Sequence, residues 1–235
     1  MVPYKRHDLI WLSDKGRDYA LRNIQSCIPE VNEKEIEGLI FYTPQIPAIV
    51  RRNETSGTKG TQGTATDNLL HIGFSSPRII DGVRLRIASK VPPDCVTDRK
   101  TPFDVINHYI DLIKYDKKIL PHSEILEALM NAGDKYNTQV GCFGSAALQL
   151  VTGLGYLREN SDLDIYLNHH GSRQDLEQFF TQLLSFEKQF SVIIDAEFEY
   201  QGIYGVKIKE FFAPGKTVLG KGLYNVALLN KDCFP

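Results

Sequence analysis

The chain has 235 residues, of which 42% are hydrophobic and 24% charged, with a formal net charge of −2. That length points to one large domain or two modest ones, and the apolar content is enough for a real core. The mildly acidic balance argues against a protein whose main task is gripping nucleic acid, and no window approaches the roughly 20 apolar residues of a membrane span.

In chain order, "NEKEIEGLIFYTPQIPAIVRRN" predicts a short helix with acidic residues at its start, then a Pro-bounded strand centred on Ile49 and Val50. The Gly/Thr-rich run "TSGTKGTQGTATDN" is too poor in apolar residues to pack and reads as a loop or hairpin tip. "LLHIGFS" and "GVRLRIASKV" read as strands, the second alternating Arg84 and Arg86 with Val83, Leu85 and Ile87. "SKVPPDCVTDRKTP", polar and punctuated by Pro92, Pro93 and Pro102, is the expected linker. The expected division is therefore an N-terminal α+β module over 1–92 and a second domain over 93–235.

In that second domain, Thr101 to Asp104 has a capping-box-like start with proline at the first helical position, and apolar residues from Phe103 to Ile113 recur at helical spacing. A helix through "SEILEALMNA" comes next, then a strand "TQVGCF", a Gly144-Ser145 turn, a helix "AALQLV", a Gly-rich turn and a strand "LDIYL". Ser172 to Asp175 repeats the cap logic before another helix, and "SVIIDAEFEY" and "GVKIKEFF" read as two further strands. The fold class expected is α+β.

Charge is unevenly spread. Residues 1–100 hold 15 Lys and Arg against 12 Asp and Glu, and residues 101–235 hold 12 against 17. The four cysteines lie far apart with no CxxC or Cys/His cluster, so they read as reduced residues rather than zinc ligands. With no long apolar run after the basic residues of the N-terminus, the expectation is a soluble, cytoplasmic protein.

The chemistry-bearing residues lie in the second domain. Alternate side chains of a strand share a face, so Asp162 and Asp164 project together, about 6–7 Å apart, while Leu163 and Ile165 face the core. Carboxylates that close repel unless a cation sits between them, and Mg²⁺ is commonly shared between carboxylates and a substrate's phosphates. Asp195, central in an apolar run, is costly to bury without a partner, and a strand beside "DLDIYL" would bring it to the same cluster. Glu197, two residues on, is the substitute. A glycine at a strand-to-helix turn lets a phosphate approach backbone N–H groups, and the Ser145 hydroxyl adds a hydrogen bond. Either motif alone is most often an ordinary turn or a wet strand face; the ordered set carries the reading.

Other motifs fail. Gly215-Lys216-Thr217 ends like a P-loop, but the first glycine position falls on Glu210. Gly153-Leu154-Gly155 opens like a dinucleotide fingerprint whose last glycine position is Arg158. His169-His170 reads as a wet turn rather than a metal site.

The set of Gly-Ser turn, D-x-D strand and later carboxylate resembles the nucleotidyltransferase superfamily of DNA polymerase β type. More closely, the phrase carried by Gly144, Ser145, Gln149, Thr152, Gly153, Leu154, Tyr156, Leu157, Ser161, Asp162, Leu163 and Asp164 resembles the malonate decarboxylase holo-acyl-carrier-protein synthase (phosphoribosyl-dephospho-CoA transferase) family. "RHDLIWL" and "PAIVRR" look like that family's opening strand and paired arginines, and Leu148 stands where many members carry tryptophan.

The resemblance implies a catalytic domain with a mixed sheet flanked by helices. It also implies transfer of the prosthetic group of triphosphoribosyl-dephospho-CoA to a serine of the apo acyl-carrier subunit of malonate decarboxylase, with release of pyrophosphate. Asp162, Asp164 and Asp195 would serve catalysis and bind Mg²⁺, and Gly144 and Ser145 would bind phosphates. Lys221 is a candidate to neutralise the leaving pyrophosphate; a solvated lysine beside a turn fits equally well. Arg51 and Arg52, with Arg84 and Arg86, are candidates to dock the CoA phosphates or an acidic carrier, against the alternative of solvated strand faces. A metal-dependent transfer of a nucleotide from a nucleoside triphosphate to a small molecule or protein is the alternative function.

Overall fold

The computed structural model describes residues 4–52, 68–115, 120–158 and 160–234. The Gly/Thr-rich stretch 55–66 lies outside the described residues. The chain forms two compact units, one of Met1–Thr101 with Thr152–Tyr156 and Leu223–Asn225, the other of Pro102–Val151, Leu157–Gly222 and Val226–Pro235. Both mix helices with a sheet, in agreement with the expected α+β class.

The first unit contains β1 (Leu9–Leu12), α1 (Asp14–Arg22), β2 (Ser26–Ile28), α2 (Glu33–Ile40), β3 (Ala48–Val50), β4 (Leu70–Ile80), β5 (Val83–Val91) and β6 (Val96–Lys100). Its strands form an antiparallel sheet of order β2-β5-β4-β3-β1-β6. Ser13 and Asn32 start the two helices, each side chain accepting from the backbone N–H three residues on. Inward residues of alternate periodicity, among them Ile10, Ile72, Phe74 and Ile87, build one core that Ala20, Leu39 and Ile40 close from the helices.

The stretch expected to be a linker is not one. After a short 3-10 turn at Pro93–Cys95, β6 pairs with β1 along Leu9 to Leu12, so the break between units falls at 101/102 rather than 92/93. A polar sequence suffices there because an edge strand is held by its backbone ladder and needs only one covered face.

The second unit contains α3 (Pro102–Tyr115), α4 (Ser123–Lys135), β7 (Thr138–Cys142), α5 (Gly144–Thr152), β8 (Leu163–His169), α6 (Arg173–Phe190), β9 (Ile194–Tyr200), β10 (Tyr204–Lys207), α7 (Ile208–Phe212), β11 (Thr217–Lys221) and β12 (Val226–Asn230). Its sheet runs β12-β11-β10-β9-β8-β7 and is mixed, because β8 and β9 are parallel and every other pair antiparallel. The parallel pair needs a crossover, which α6 supplies. The helix starts with the expected capping box: Ser172 Oγ accepts from Asp175 N (3.2 Å), and the Asp175 carboxylate accepts from Ser172 N (2.9 Å). Gly141 of β7 lets α3 approach closely, since a Cβ there would lie 2.8 Å from Pro102 C and 2.9 Å from Phe103 N. "GVKIKEFF", expected as one strand, splits: Tyr204–Lys207 continues the sheet and Ile208–Phe212 turns into α7, burying Ile208 and Phe211.

The motif phrase also explains its own length. Sixteen residues intervene between Ser145 and Asp162, and part of that stretch, 152–156, belongs to the first unit. Tyr156 is fully buried and donates its hydroxyl to Ser75 O (2.8 Å), while Arg84 donates to Tyr156 O (2.6 Å) and Ser76 O (3.0 Å). The Arg84 guanidinium also lies 5.3 Å from the centre of the Tyr156 ring. Gln149 Oε1 accepts from Leu157 N (2.8 Å), and Thr152 Oγ1 from Leu154 N (3.2 Å). These phrase residues hold a backbone path rather than perform chemistry. Tyr156→Phe leaves the Ser75 carbonyl without that donor in a buried setting and should cost about 1–3 kcal/mol of stability, read as a shift in urea midpoint with an unchanged slope.

Candidate active site

The register of β8 and β9 sets Asp164 directly beside Asp195, and Tyr166 beside Glu197. Asp195 and Glu197 share one face of β9 as Asp164 and Tyr166 share the same face of β8, while Leu163, Ile165, Ile194 and Ala196 fill the opposite, buried face. Asp195, not Glu197, is therefore the immediate neighbour of Asp164. Asp162 is exposed and precedes the first residue of β8.

The Gly-Ser turn meets the same carboxylate. Gly144 opens α5 with a φ of +62°, a left-handed conformation that L side chains rarely adopt, and a Cβ there would sit 2.9 Å from Asp164 Cγ and overlap its carboxylate oxygen. Glycine is thus required twice over, by the turn and by Asp164. Phe143 N donates to Asp164 O (3.2 Å), which closes the turn against β8. Ser145 follows, half-buried, in the first turn of α5. The first N–H groups of a helix have no intrahelical partner and carry partial positive charge, so this end suits an anion.

The electrostatics show a site short of positive charge. Burial, then the neighbouring Asp195, push the Asp164 carboxyl up to about 7; Lys207 opposes this, and Asp162 and Glu197 add to it. The adjacent Cys142 thiol, wholly buried, is pushed up by burial and by the charge of Asp164. Lys207, the last residue of β10, makes an ion pair with Asp195 Oδ2. Nothing in "GVKIKEFF" marks this lysine as different from a solvated one; only the antiparallel pairing of β9 with β10, which sets Lys207 opposite Glu197, brings it here.

Oxygen-only donors suit a hard divalent cation. Among the described residues no three His, Cys, Asp or Glu side chains converge closely enough to hold an ion by themselves. Asp164 and Asp195 form a pair; a divalent cation held there would take its other ligands from water or substrate oxygens.

Lys221, in the same unit, lies apart from the pair. Lys221 ends β11 opposite Gly205, which in turn faces Glu199, four residues along β9 from Asp195 and so about 13 Å along the strand. Arg51 and Arg52 follow β3 in the first unit, both half-buried, with Arg51 beside Leu70, His71 and Tyr224. Arg84 is committed to the carbonyls of Ser76 and Tyr156, which makes it a structural residue rather than a solvated strand-face charge. Thr217 begins a strand, as the rejection of the P-loop expects. His169 is tied to Thr138 Oγ1 (2.7 Å) and Ser172 O (2.9 Å), so its ring nitrogens serve the fold.

Residues 113–232 match the family described as phosphoribosyl-dephospho-CoA transferase MdcG, C-terminal domain, and the chain belongs to that family of transferases. It is also 23% identical over 233 residues to the phosphoribosyl-dephospho-CoA transferase of Xanthomonas axonopodis pv. citri (strain 306), a similarity that covers 97% of this chain and 92% of that one. No solved structure matches the chain.

The raised Asp164 carboxyl fixes a sign. A carboxyl whose folded value of about 7 lies above its ordinary 3.8 contributes stability that is fully present below pH 3.8 and lost as pH rises through 7. In metal-free buffer, Asp164→Asn should therefore lose less stability than the unmodified protein between pH 4 and 8 and be the more stable of the two above pH 7. Denaturant midpoints across that range measure it, and an unchanged pH slope would contradict the assignment.

Proposed function

We propose that the protein transfers the phosphoribosyl-dephospho-CoA group from triphosphoribosyl-dephospho-CoA to a serine of the apo acyl-carrier subunit of malonate decarboxylase, in the cytoplasm, as a metal-dependent nucleotidyltransferase of the EC 2.7.7 type. The observation that carries this is the alignment of Asp164 with Asp195 across two parallel strands, with Gly144 packed on the Asp164 carboxylate, in a chain of this transferase family. Its cysteines, all free among the described residues, suit a reducing compartment.

In the reaction, the carrier serine oxygen bonds to the α-phosphorus while the bond from that phosphorus to the pyrophosphate oxygen breaks. Pyrophosphate leaves with the electron pair. Such transfer needs positioning and charge neutralisation more than covalent chemistry. Asp164 and Asp195 would hold Mg²⁺, which when bound neutralises phosphate charge, and Asp162, just before β8, is a further candidate ligand. Asp195, whose side chain is 34% exposed, also serves as an acceptor for the serine proton. Gly144 leaves room for a phosphate against the backbone of α5, and Ser145 adds a hydroxyl donor. Arg51 and Arg52 would receive the CoA phosphates or the acidic carrier, and Lys221 the departing pyrophosphate.

Intact-mass spectrometry of the apo carrier after incubation with the protein, Mg²⁺ and triphosphoribosyl-dephospho-CoA tests this. The carrier should gain the phosphoribosyl-dephospho-CoA unit with the unmodified protein and lose that gain with Asp164→Asn. No mass gain, together with pyrophosphate released from a nucleoside triphosphate in the presence of another acceptor, would replace the proposal with general nucleotide transfer.

A further inference from the structure

One charged group at the carboxylate pair has no part in the chemistry above. Lys207 donates from Nζ to Asp195 Oδ2, and both side chains are partly exposed, at 28% and 34%. Its backbone is fixed on both sides: Lys207 is the last paired residue of β10, opposite Glu197, and it caps α7, whose Ile208 and Phe211 are buried. The ammonium is thus anchored against a face that carries Asp164, Asp195 and Glu197, and it occupies one of the oxygens a cation would need.

We propose that Lys207 is a built-in counter-cation, which holds Asp195 while no metal is bound and yields that oxygen when a divalent cation arrives. The inference rests on the metal-dependent reading of the site. Cation entry is then an exchange of one positive charge for another, not a simple addition. Two consequences follow from the charges alone. Lys207 relieves the repulsion between the aligned carboxylates in the metal-free protein, and it weakens binding of a bare cation, because a fixed ammonium competes for the ligand and repels its rival. A cation that arrives with a polyphosphate gains ligands from the substrate and is less affected, so the lysine favours joint entry of metal and substrate.

The test is Mn²⁺ binding to the metal-free full chain, followed by the loss of the free-ion signal in electron paramagnetic resonance. Lys207→Met should bind Mn²⁺ roughly tenfold more tightly than the unmodified protein, while Lys207→Arg, which keeps the charge, should match it. Added Mn²⁺ should also raise the Tm of Lys207→Met by more than that of the unmodified protein. Lys207→Gln provides the same comparison should the methionine variant fail to fold. Equal or weaker Mn²⁺ binding by the uncharged variants, with Asp164→Asn abolishing binding in all, overturns the counter-cation role and leaves the metal site standing. No binding by any variant at millimolar Mn²⁺ removes the metal-dependent reading, and the exchange with it.

Discussion

Two carboxylates face each other across neighbouring parallel strands, and the second unit is arranged around that pair. Adjacent strands lie about 4.8 Å apart, so Asp164 and Asp195 in direct register cannot escape one another without breaking the ladder. Burial first, and the charge of Asp195 second, push the Asp164 carboxyl up to about 7, so its ionised form is a cost to stability. Several elements of the unit meet at it. The α6 crossover makes β8 and β9 parallel, Gly144 gives up its side chain to admit the Asp164 carboxylate, and β10 delivers Lys207 to offset the charge. Aligned, partly buried carboxylates of this kind concentrate at functional sites, and the chain belongs to a transferase family.

What was legible in the sequence is what acts locally. The alternation around Asp162 and Asp164, the polar residue inside "SVIIDAEFEY" and the Ser172–Asp175 cap all follow from residue types at short spacing, and the strands and helix they imply are present. Register was the missing quantity. Periodicity placed Asp195 and Glu197 on one face but could not choose between them; the pairing of β8 with β9 does. Lys207 was invisible for the same reason, since its partner lies on another strand. β6 was missed because "VTDRK" has no apolar alternation, and its strand character comes from β1 alone. Arg84 and Tyr156 are 72 residues apart, and neither signals the other in sequence.

The long phrase between Gly-Ser and D-x-D divides into two kinds of residue. Gly144 and Asp164 meet at the site, whereas Gln149, Thr152 and Tyr156 fix the path of a connection, through Leu157 N, Leu154 N and Ser75 O. A residue that recurs in a motif can thus be there for the backbone rather than for the reaction, and the hydrogen-bond partners tell the two apart.

The central claim is that Asp164 and Asp195 act as one unit in the transfer. The direct measurement is the transfer rate of Asp164→Asn, Asp195→Asn and the double variant, each checked for folding. If the carboxylates act together, each single change lowers the rate about 10²-fold or more and the double variant is hardly slower than either. Losses that multiply in the double variant, or a single change that leaves the rate intact, would show two independent side chains and contradict the account.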